Sequence, residues 1–409
     1  MRIRPRIKWL QVAAAVFALS VIVSACAGSS GSPGASNSGS PHKTLKIDFA
    51  NINDESAFFH SVTQGMKDAE KTIGSDVKVR YYDNKSDGNT TLENARLMVN
   101  DHPDLIIEFY GTEAVAKSAE RLFKDANIPC ITVNVPGAGG CTWYDLYNPS
   151  LCGQTGTAMG KIAAEKGWNG SNTAVILVAA ASFGPEINTC QGYYYEELQK
   201  YVPGITKISS YKDITLSTTR VGSTTYQVNG DGLLDKTFNS VTNVLQAIPS
   251  SKHLIVYPIG DDMAIGAWRA LDQANRGSNS IIAGLGGDPR TLVQLRTNPS
   301  WVAEGDIFIS HWGELLLPMA KAILEHRTTP ALTTSPLAVL TKNLTVPNTL
   351  IAPMSNFYKG SETNATELPP LVPVKDGDLP GLDKQGPVGN DYLGAIDWLR
   401  KFGNVSGLS

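Results

Sequence analysis

The sequence lacks the motifs of the common catalytic and metal-binding sites. It contains no G-x-S-x-G nucleophile elbow, no H-E-x-x-H zinc helix and no P-loop. Its six histidines are scattered without a partner at a fixed spacing, and no C-x-x-C pair or Cys/His cluster indicates zinc. The adjacent carboxylates of Asp261 and Asp262 are more typical of helix capping than of a metal pair. We therefore expect no enzyme activity, no cofactor and no metal, and an exported hydrolase is disfavoured.

Positive charge is also scarce. The chain has 35 Lys and Arg against 38 Asp and Glu, and four of the positive charges lie in the first 25 residues, which contain no acidic residue. Without that segment, 31 positive charges face 38 negative ones. Nothing in this balance suggests a basic face for nucleic acid, so that class of partner is not expected.

Long apolar runs are missing from the body of the chain, and the N-terminus has a short one. Val12 to Val23 follows a basic start and is too short for a comfortable membrane span, so residues 1–25 are predicted to be an export signal. Ser24 and Ala25 before Cys26 resemble a bacterial lipobox, which predicts a lipidated Cys26 as the mature N-terminus. The alternative is ordinary cleavage near Ala25 beside an incidental cysteine. Residues 26–43 are predicted to be a flexible tether, since they are rich in Gly, Ser and Pro.

Four cysteines remain after the signal: Cys130, Cys141, Cys152 and Cys190. Export makes disulfides possible. We expect a Cys141–Cys152 pair, because these two residues close one small loop rich in glycine and aromatic residues. Cys130 lies in an apolar strand pattern, and a buried thiol is the alternative for it.

The segment from Leu45 to Ile73 predicts a strand, a polar loop and a helix. Leu45, Ile47 and Phe49 alternate with polar residues, whereas apolar residues from Phe59 onward recur every three or four positions. The loop lies at the carboxyl end of the strand, where open α/β sheets bind ligands. Phe58 and Phe59 stand at its mouth.

The same alternation of strand and helix continues along the chain. It predicts an α/β fold with parallel sheets flanked by helices. The segments DLIIEFYG from Asp104 and HLIVYPIG from His253 resemble each other, which, with a length of 409 residues, favours two similar lobes. The long loop Asn134–Gln154 is expected to be functional, and Thr215–Gly232 is expected to be a polar insert.

These pieces resemble the type I periplasmic-binding-protein superfamily, and within it the ribose- and galactose-binding proteins of sugar ABC importers. The resemblance covers roughly residues 44–345 and rests on AFFHSVTQGMKDAEK from Ala57, NDHPDLIIEF from Asn100, ANIPCITVN from Asn127 and GDDMAIGAWRAL from Gly260. It implies two lobes joined by a hinge that the chain crosses three times, near residues 135–155, near 285–290 or later, and within 308–345.

The resemblance also implies the extent of each lobe. The N-terminal lobe would comprise residues 44–148 with 308–335, and the C-terminal lobe residues 149–307 with 336–345. Residues 346–409 are predicted to form an extended tail, since they are rich in Pro, Gly and Asp.

The same resemblance implies a ligand site in the cleft between the lobes. Flat aromatic rings can cover the C–H face of a sugar while amides and carboxylates bind its hydroxyls. Phe58 and Phe59 match the family's stacking aromatics, although one of two adjacent helical residues should face the core. Ser56 stands where the family has asparagine, and Asn134 where it often has aspartate. Tyr110 ends the third strand and is expected at the cleft.

The residues of the C-terminal lobe that would face the ligand depart from the family pattern. Ile187 falls at the place of a family arginine, with Glu186 beside it, and Gly286 replaces the hinge aspartate, for which Asp288 can substitute. Asp261 opens the second lobe's small-residue helix, as ligand group or helix cap. Trp143 is expected to reshape the cleft.

The sequence thus predicts an extracytoplasmic solute-binding lipoprotein, anchored to the bacterial cell membrane only through Cys26. It is expected to be a monomer that binds a sugar or related polyol and delivers it to an ABC transporter permease. The alternative is a ligand-sensing lipoprotein that signals through a membrane receptor or kinase.

Overall fold

The computed structural model describes residues 44–73, 75–146, 148–307, 309–326, 332–335, 338–341 and 351–353. The predicted export signal, Cys26, the tether and nearly all of the predicted tail lie outside the described residues. Among the residues it describes, no helix is long and apolar enough to cross a membrane.

Strands and helices alternate along the chain, as predicted. The first elements are β1 (Leu45–Asn51), α1 (Ala57–Ile73), β2 (Val77–Asp83), α2 (Gly88–Asp101), β3 (Leu105–Phe109), α3 (Glu113–Asp125), β4 (Cys130–Val133) and β5 (Thr142–Asp145). The middle elements are α4 (Asn148–Glu165), β6 (Thr173–Ala179), α5 (Gly184–Leu198), β7 (Arg220–Val221), β8 (Thr225–Asn229), α6 (Leu234–Leu245), β9 (His253–Pro258), α7 (Asp261–Gln273), β10 (Ser280–Gly286), α8 (Pro289–Thr297) and β11 (Trp301–Asp306). The last are α9 (Trp312–Leu324), β12 (Leu332–Thr334), β13 (Ala338–Thr341) and β14 (Ile351–Pro353).

These strands form two sheets, one in each lobe. The N-terminal sheet has the order β12-β5-β4-β3-β1-β2 and is parallel throughout. The C-terminal sheet has the order β14-β13-β11-β10-β9-β6-β8-β7, and only its β11–β13 and β7–β8 pairs are antiparallel. The α/β prediction is therefore confirmed.

The opening strand and helix fold as their sequence patterns indicate. Ile47 and Phe49 of β1 are buried, and on α1 the side chains of Phe59, Val62 and Met66 are fully buried. The Nδ2 of Asn51 donates to the carbonyl oxygen of Phe59 at 2.7 Å. This bond fixes the start of α1 against the end of β1.

The chain passes between the two sheets three times. The passes lie between β5 and α4, between β11 and α9, and between β12 and β13, because α9 packs on α1 and α4 packs on α5. The second crossing, expected near residues 285–290 or later, lies after residue 306, since β10, α8 and β11 all belong to the C-terminal lobe.

Two segments predicted as loop or polar insert contain strands. β5 and the start of α4 lie within the predicted loop Asn134–Gln154, and β8 lies within the predicted insert Thr215–Gly232. Two polar side chains of β8 form hydrogen bonds inside the lobe: the hydroxyl of Tyr195 bonds that of Thr225 at 2.8 Å, and the Nε2 of Gln227 donates to the carbonyl oxygen of Thr215 at 2.7 Å.

The predicted Cys141–Cys152 disulfide is wrong. Cys130 pairs with Cys141, and Cys152 pairs with Cys190. Cys130 begins β4 and Cys141 directly precedes the adjacent β5, which places their Cα atoms 4.7 Å apart. The chain then enters the C-terminal lobe before it reaches Cys152. There α4 lies against α5, and the Cα atoms of Cys152 and Cys190 are 5.2 Å apart.

Candidate functional site

A pocket lies between the two lobes, where parallel strands of both sheets end. Its volume is about 210 Å³. It is built by the segments that follow β1, β2 and β3 of the N-terminal lobe and β6 of the C-terminal lobe. We call it the interlobe pocket, and its lining residues are Ile52, Asn84, Ser86, Asp87, Gly88, Thr91, Phe109, Gly111, Thr112, Val115, Ala181, Ser182 and Gly184.

Most polar groups of the interlobe pocket come from two helix starts of the N-terminal lobe. Asp87 caps α2 by accepting a hydrogen bond from the backbone nitrogen of Thr90 at 2.7 Å, and this bond lowers the pKa of the Asp87 carboxyl. Thr112 caps α3 with its backbone, whereas its side chain accepts no hydrogen bond from that helix. Carboxylate, hydroxyl and amide groups together can both donate to and accept from a polyhydroxylated solute.

The C-terminal lobe closes this pocket from the opposite side at very short range. A Cβ atom on Gly184 would lie 1.6 Å from the carbonyl oxygen of Gly111, and Gly184 has a φ of +85°. Glycine is therefore required here both for the backbone conformation and for the contact between the lobes.

The predicted aromatic pair lies beside the interlobe pocket and does not line it. Phe59 is fully buried, and its ring centroid lies 5.3 Å from that of Phe109, so this residue faces the core as expected for one of the two. Phe183 of the C-terminal lobe covers both rings, with centroid distances of 4.8 Å to Phe59 and 6.4 Å to Phe58. The face predicted to hold a sugar ring is thus occupied by a phenylalanine of the other lobe.

Three further predicted residues have clear roles in the N-terminal lobe. The hydroxyl oxygen of Ser56 lies 3.5 Å from the backbone nitrogen of Phe59 at the start of α1. Asn134 has a φ of +77°, and its Nδ2 donates to the carbonyl oxygen of Tyr110 at 3.0 Å. Burial raises the pKa of Tyr110 well above its usual value, and the nearby carboxylates of Glu108 and Glu120 add to this effect.

The buried side chains of Tyr110 and Asn134 keep unused hydrogen-bonding atoms. Neither the Tyr110 hydroxyl nor the Asn134 Oδ1 has a hydrogen-bond partner among the described residues. The Trp143 Nε1 on β5 is likewise buried without a partner in that part of the chain. These three assignments as ligand contacts stay predictions.

Glu186 forms a contact between the lobes. Its Oε1 accepts a hydrogen bond from the backbone nitrogen of Glu113, the first residue of α3, at 3.0 Å. A neighbouring contact has the same form, because the Oδ2 of Asp262 accepts from the backbone nitrogen of Ala57, the first residue of α1, at 3.1 Å. Carboxylates of the C-terminal lobe therefore cap two helices of the N-terminal lobe.

Asp261 and Asp288 form hydrogen bonds and ion pairs within the C-terminal lobe. Asp261 accepts hydrogen bonds from the backbone nitrogens of Leu285 at 2.9 Å and Asp288 at 2.7 Å. Burial raises the pKa of Asp261 and that of Glu304, with which it shares a hydrogen bond. Asp288 caps α8 and binds the Arg290 guanidinium at 2.7 Å. No group of three or more acidic, histidine or cysteine side chains in the described part of the chain could hold a metal ion.

The nine predicted ligand residues and the interlobe pocket do not overlap. Asn84, Ser86 and Asp87 were not among the predicted ligand residues, although they form a polar run directly after β2 and resemble the loop that follows β1. The same rule, that ligands bind beyond the carboxyl ends of strands, would have selected them.

The family model of the periplasmic binding protein domain matches residues 47–327 of this chain. The chain belongs to the periplasmic binding protein domain family. Members of this family are binding proteins rather than enzymes, and membership implies an extracytoplasmic location. No sequence match was found among curated proteins.

Solved structures of periplasmic binding proteins share the fold. The Caulobacter myo-inositol binding protein, bound to myo-inositol, has a TM-score of 0.60 and 14% identity, with 73% of this chain and 94% of that chain covered. An ABC transporter solute-binding protein from Mycobacterium smegmatis, with bound glycerol, has a TM-score of 0.58 and 17% identity, covering 72% and 93%. A third, from Actinobacillus succinogenes with bound D-allose, has a TM-score of 0.57 and 17% identity, covering 72% and 96%.

Proposed function

We propose that this periplasmic binding protein captures a sugar or related polyol between its lobes and delivers it to an ABC importer. The observation that carries the proposal is the interlobe pocket, which is lined by hydroxyl, amide and carboxylate side chains at the carboxyl ends of strands from both lobes. The solved neighbours that hold glycerol, myo-inositol and D-allose support the same class of ligand.

We further propose that the protein is held at the outer face of the membrane by a lipid on Cys26, with residues 26–43 as tether. The basic start, short apolar run and small residues before Cys26 support this. The variant Cys26→Ser should move the protein from the membrane fraction to the soluble one. If both proteins fractionate alike, the anchor is wrong.

The ligand class is tested by a thermal-shift screen of pentoses, hexoses, polyols and small amides. A ligand at 100 times its dissociation constant should stabilise the folded protein by about 2.7 kcal/mol. We expect a saturable rise in melting temperature with carbohydrates or polyols. A rise with amides or amino acids and none with any carbohydrate or polyol would contradict the proposal.

The pocket is tested by Thr112→Val, which removes a hydroxyl from the lining and keeps the side-chain shape. Loss of one neutral hydrogen bond should weaken binding by about 1 kcal/mol, roughly fivefold, with little change in stability. Thr242→Val is the matched control, because the Thr242 hydroxyl is buried in the C-terminal lobe without a partner among the described residues. Equal affinity in both variants would place the ligand elsewhere.

A further inference from the structure

Phe183 fills the middle of the space between the lobes. It is 3% exposed, and its ring contacts Phe59 edge-on at 4.8 Å and lies tilted by 33° over Phe58 at 6.4 Å. Phe59 in turn packs on Phe109, which lines the interlobe pocket. The neighbours of Phe183 in sequence, Ser182 and Gly184, also line that pocket. Phe183 itself does not line the pocket, and its ring packs against the aromatic pair from the segment whose other residues do line it.

The turn that carries Phe183 is fixed by side-chain hydrogen bonds. The backbone nitrogens of Ala180, Ala181 and Ser182 donate to side-chain oxygens of Asn188 at 2.9 Å, Asn229 at 3.1 Å and Asp231 at 2.8 Å, respectively. A short helical turn at Ala181–Phe183 then leads directly into α5. Because successive amides are held in this way, the position of the Phe183 ring is preorganised.

The second lobe leaves a space that fits this ring. A Cβ atom on Gly232 would lie 2.4 Å from the Cε1 of Phe183, and one on Gly260 would lie 3.7 Å from its Cε2. Gly232 also has a φ of +75°, which favours glycine independently. A side chain at position 232 would displace the ring.

The volume of the interlobe pocket sets a scale for the ligand that it can surround. A closed cavity of about 150 Å³ holds benzene, which corresponds to roughly 25 Å³ for each non-hydrogen atom. On that scale the 210 Å³ of the interlobe pocket hold about eight such atoms. A four-carbon polyol such as erythritol has eight, whereas a hexose or an inositol has twelve and needs about 300 Å³.

We propose that Phe183 determines specificity by restricting the interlobe pocket to three- and four-carbon polyols and excluding six-membered sugar rings. This rests on the proposed function, because it concerns the ligand of the same cleft. The polar wall formed by Asn84, Ser86, Asp87 and Thr112 supplies hydrogen bonds to the polyol hydroxyls. The ring of Phe183 excludes the rest of a larger ligand.

The experiment is isothermal titration calorimetry of the full-length protein with glycerol, erythritol, ribose and myo-inositol. The native protein should bind erythritol at least about tenfold more tightly than myo-inositol. In Phe183→Ala, removal of six ring carbons should free roughly 150 Å³ and join the pocket to Phe58 and Phe59. That variant should bind myo-inositol at least about tenfold more tightly than the native protein does.

Two further variants keep the test decisive. Phe183→Leu keeps the core filled and should give an intermediate gain for myo-inositol, even where Phe183→Ala does not fold. Phe123→Leu makes the same change at a fully buried phenylalanine near the far end of α3 and should leave the order of preference unchanged.

The outcomes separate this inference from the proposed function. A native protein that prefers myo-inositol or ribose to erythritol would overturn the role of Phe183 and leave a carbohydrate-binding protein. The same holds if Phe183→Leu and Phe123→Leu bind the series alike. If no sugar or polyol binds to any variant, the proposed function itself fails.

Discussion

Glu108 is a carboxylic acid on a strand whose two faces are both buried. Its side chain is fully buried, Asn84 donates to its Oε1 at 2.6 Å, and its Oε2 has no hydrogen-bond partner among the described residues. Burial raises the pKa of Glu108 to about 8, although the bond from Asn84 acts in the opposite direction. Since Asn84 also lines the interlobe pocket, this carboxyl group lies directly behind it.

We predict that Glu108 makes the protein less stable as the pH rises from about 5 to 8. In this range the folded state keeps a proton that the unfolded state, with an ordinary pKa near 4.3, has lost. The free energy of unfolding should therefore fall by up to about 1.4 kcal/mol per pH unit on account of this residue. Glu108→Gln should flatten that dependence, as measured by urea unfolding at several pH values.

The control for this prediction is Glu93→Gln, which changes an exposed glutamate on α2. It should keep the slope of the native protein. A Glu108→Gln variant whose slope also equals the native one would show that Glu108 is ionised in the folded state.

Contacts between the lobes could not be predicted from local sequence patterns. Phe58 and Phe59 were located at the mouth of the cleft because both follow β1 on the first turn of a helix. The residue that covers them, Phe183, lies more than a hundred positions further along the chain in another lobe. No local pattern indicates such a contact, since it depends on how the two lobes approach each other.

At the level of elements, the apolar strands were predictable and the polar ones were not. β3, β6 and β9 are nearly continuous apolar runs, which is typical of parallel strands buried on both faces. β8 has the sequence TYQVN and lacks such a run, and its Thr225 hydroxyl and Gln227 Nε2 find partners in Tyr195 and in the backbone of residues 215–218. Partners that are distant in sequence make this strand stable.

The disulfide between α4 and α5 gives a prediction for the C-terminal lobe. Cys152 and Cys190 close a loop of 38 residues, for which the chain-entropy model gives a stabilisation of about 4 kcal/mol. Cys130 and Cys141 close one of 11 residues, for which the same model gives about 3 kcal/mol. Replacing Cys152 and Cys190 by alanine should lower the free energy of urea unfolding more than the same change at the other pair.

Peptide mapping without reduction checks the pairing itself. Proteolysis should release Cys130 linked to Cys141, and Cys152 linked to Cys190. A peptide that joins Cys141 to Cys152 would contradict the structure and restore the pairing expected from the short loop.

At the scale of the whole molecule, the lobes are held together by polar contacts as well as by aromatic rings. Glu186 and Asp262 each place a carboxylate at the first backbone N–H of a helix in the opposite lobe. Asp262 is held in place by the Arg290 guanidinium at 2.8 Å. A negative charge at a helix N-terminus contributes about 0.3 to 1 kcal/mol at exposed positions and up to about 2 kcal/mol at partly buried ones.

We predict that these two carboxylates set the balance between open and closed forms. In the double variant Glu186→Gln, Asp262→Asn, the loss of both charges should destabilise the closed form by about 1 to 2 kcal/mol. The radius of gyration measured by small-angle X-ray scattering without ligand should then increase. The ligand affinity should fall in proportion to the fraction of closed protein, because only the closed form has a complete interlobe pocket.

Asp235→Asn is the matched control, because Asp235 lies in the first turn of α6 and is exposed, away from the N-terminal lobe. It should change neither the radius of gyration nor the affinity. A compact double variant with native affinity would mean that the two carboxylates are not needed to keep the lobes together. In that case Phe183→Ala, rather than the carboxylate variants, should increase the radius of gyration, since the ring packs on Phe58 and Phe59 of the N-terminal lobe.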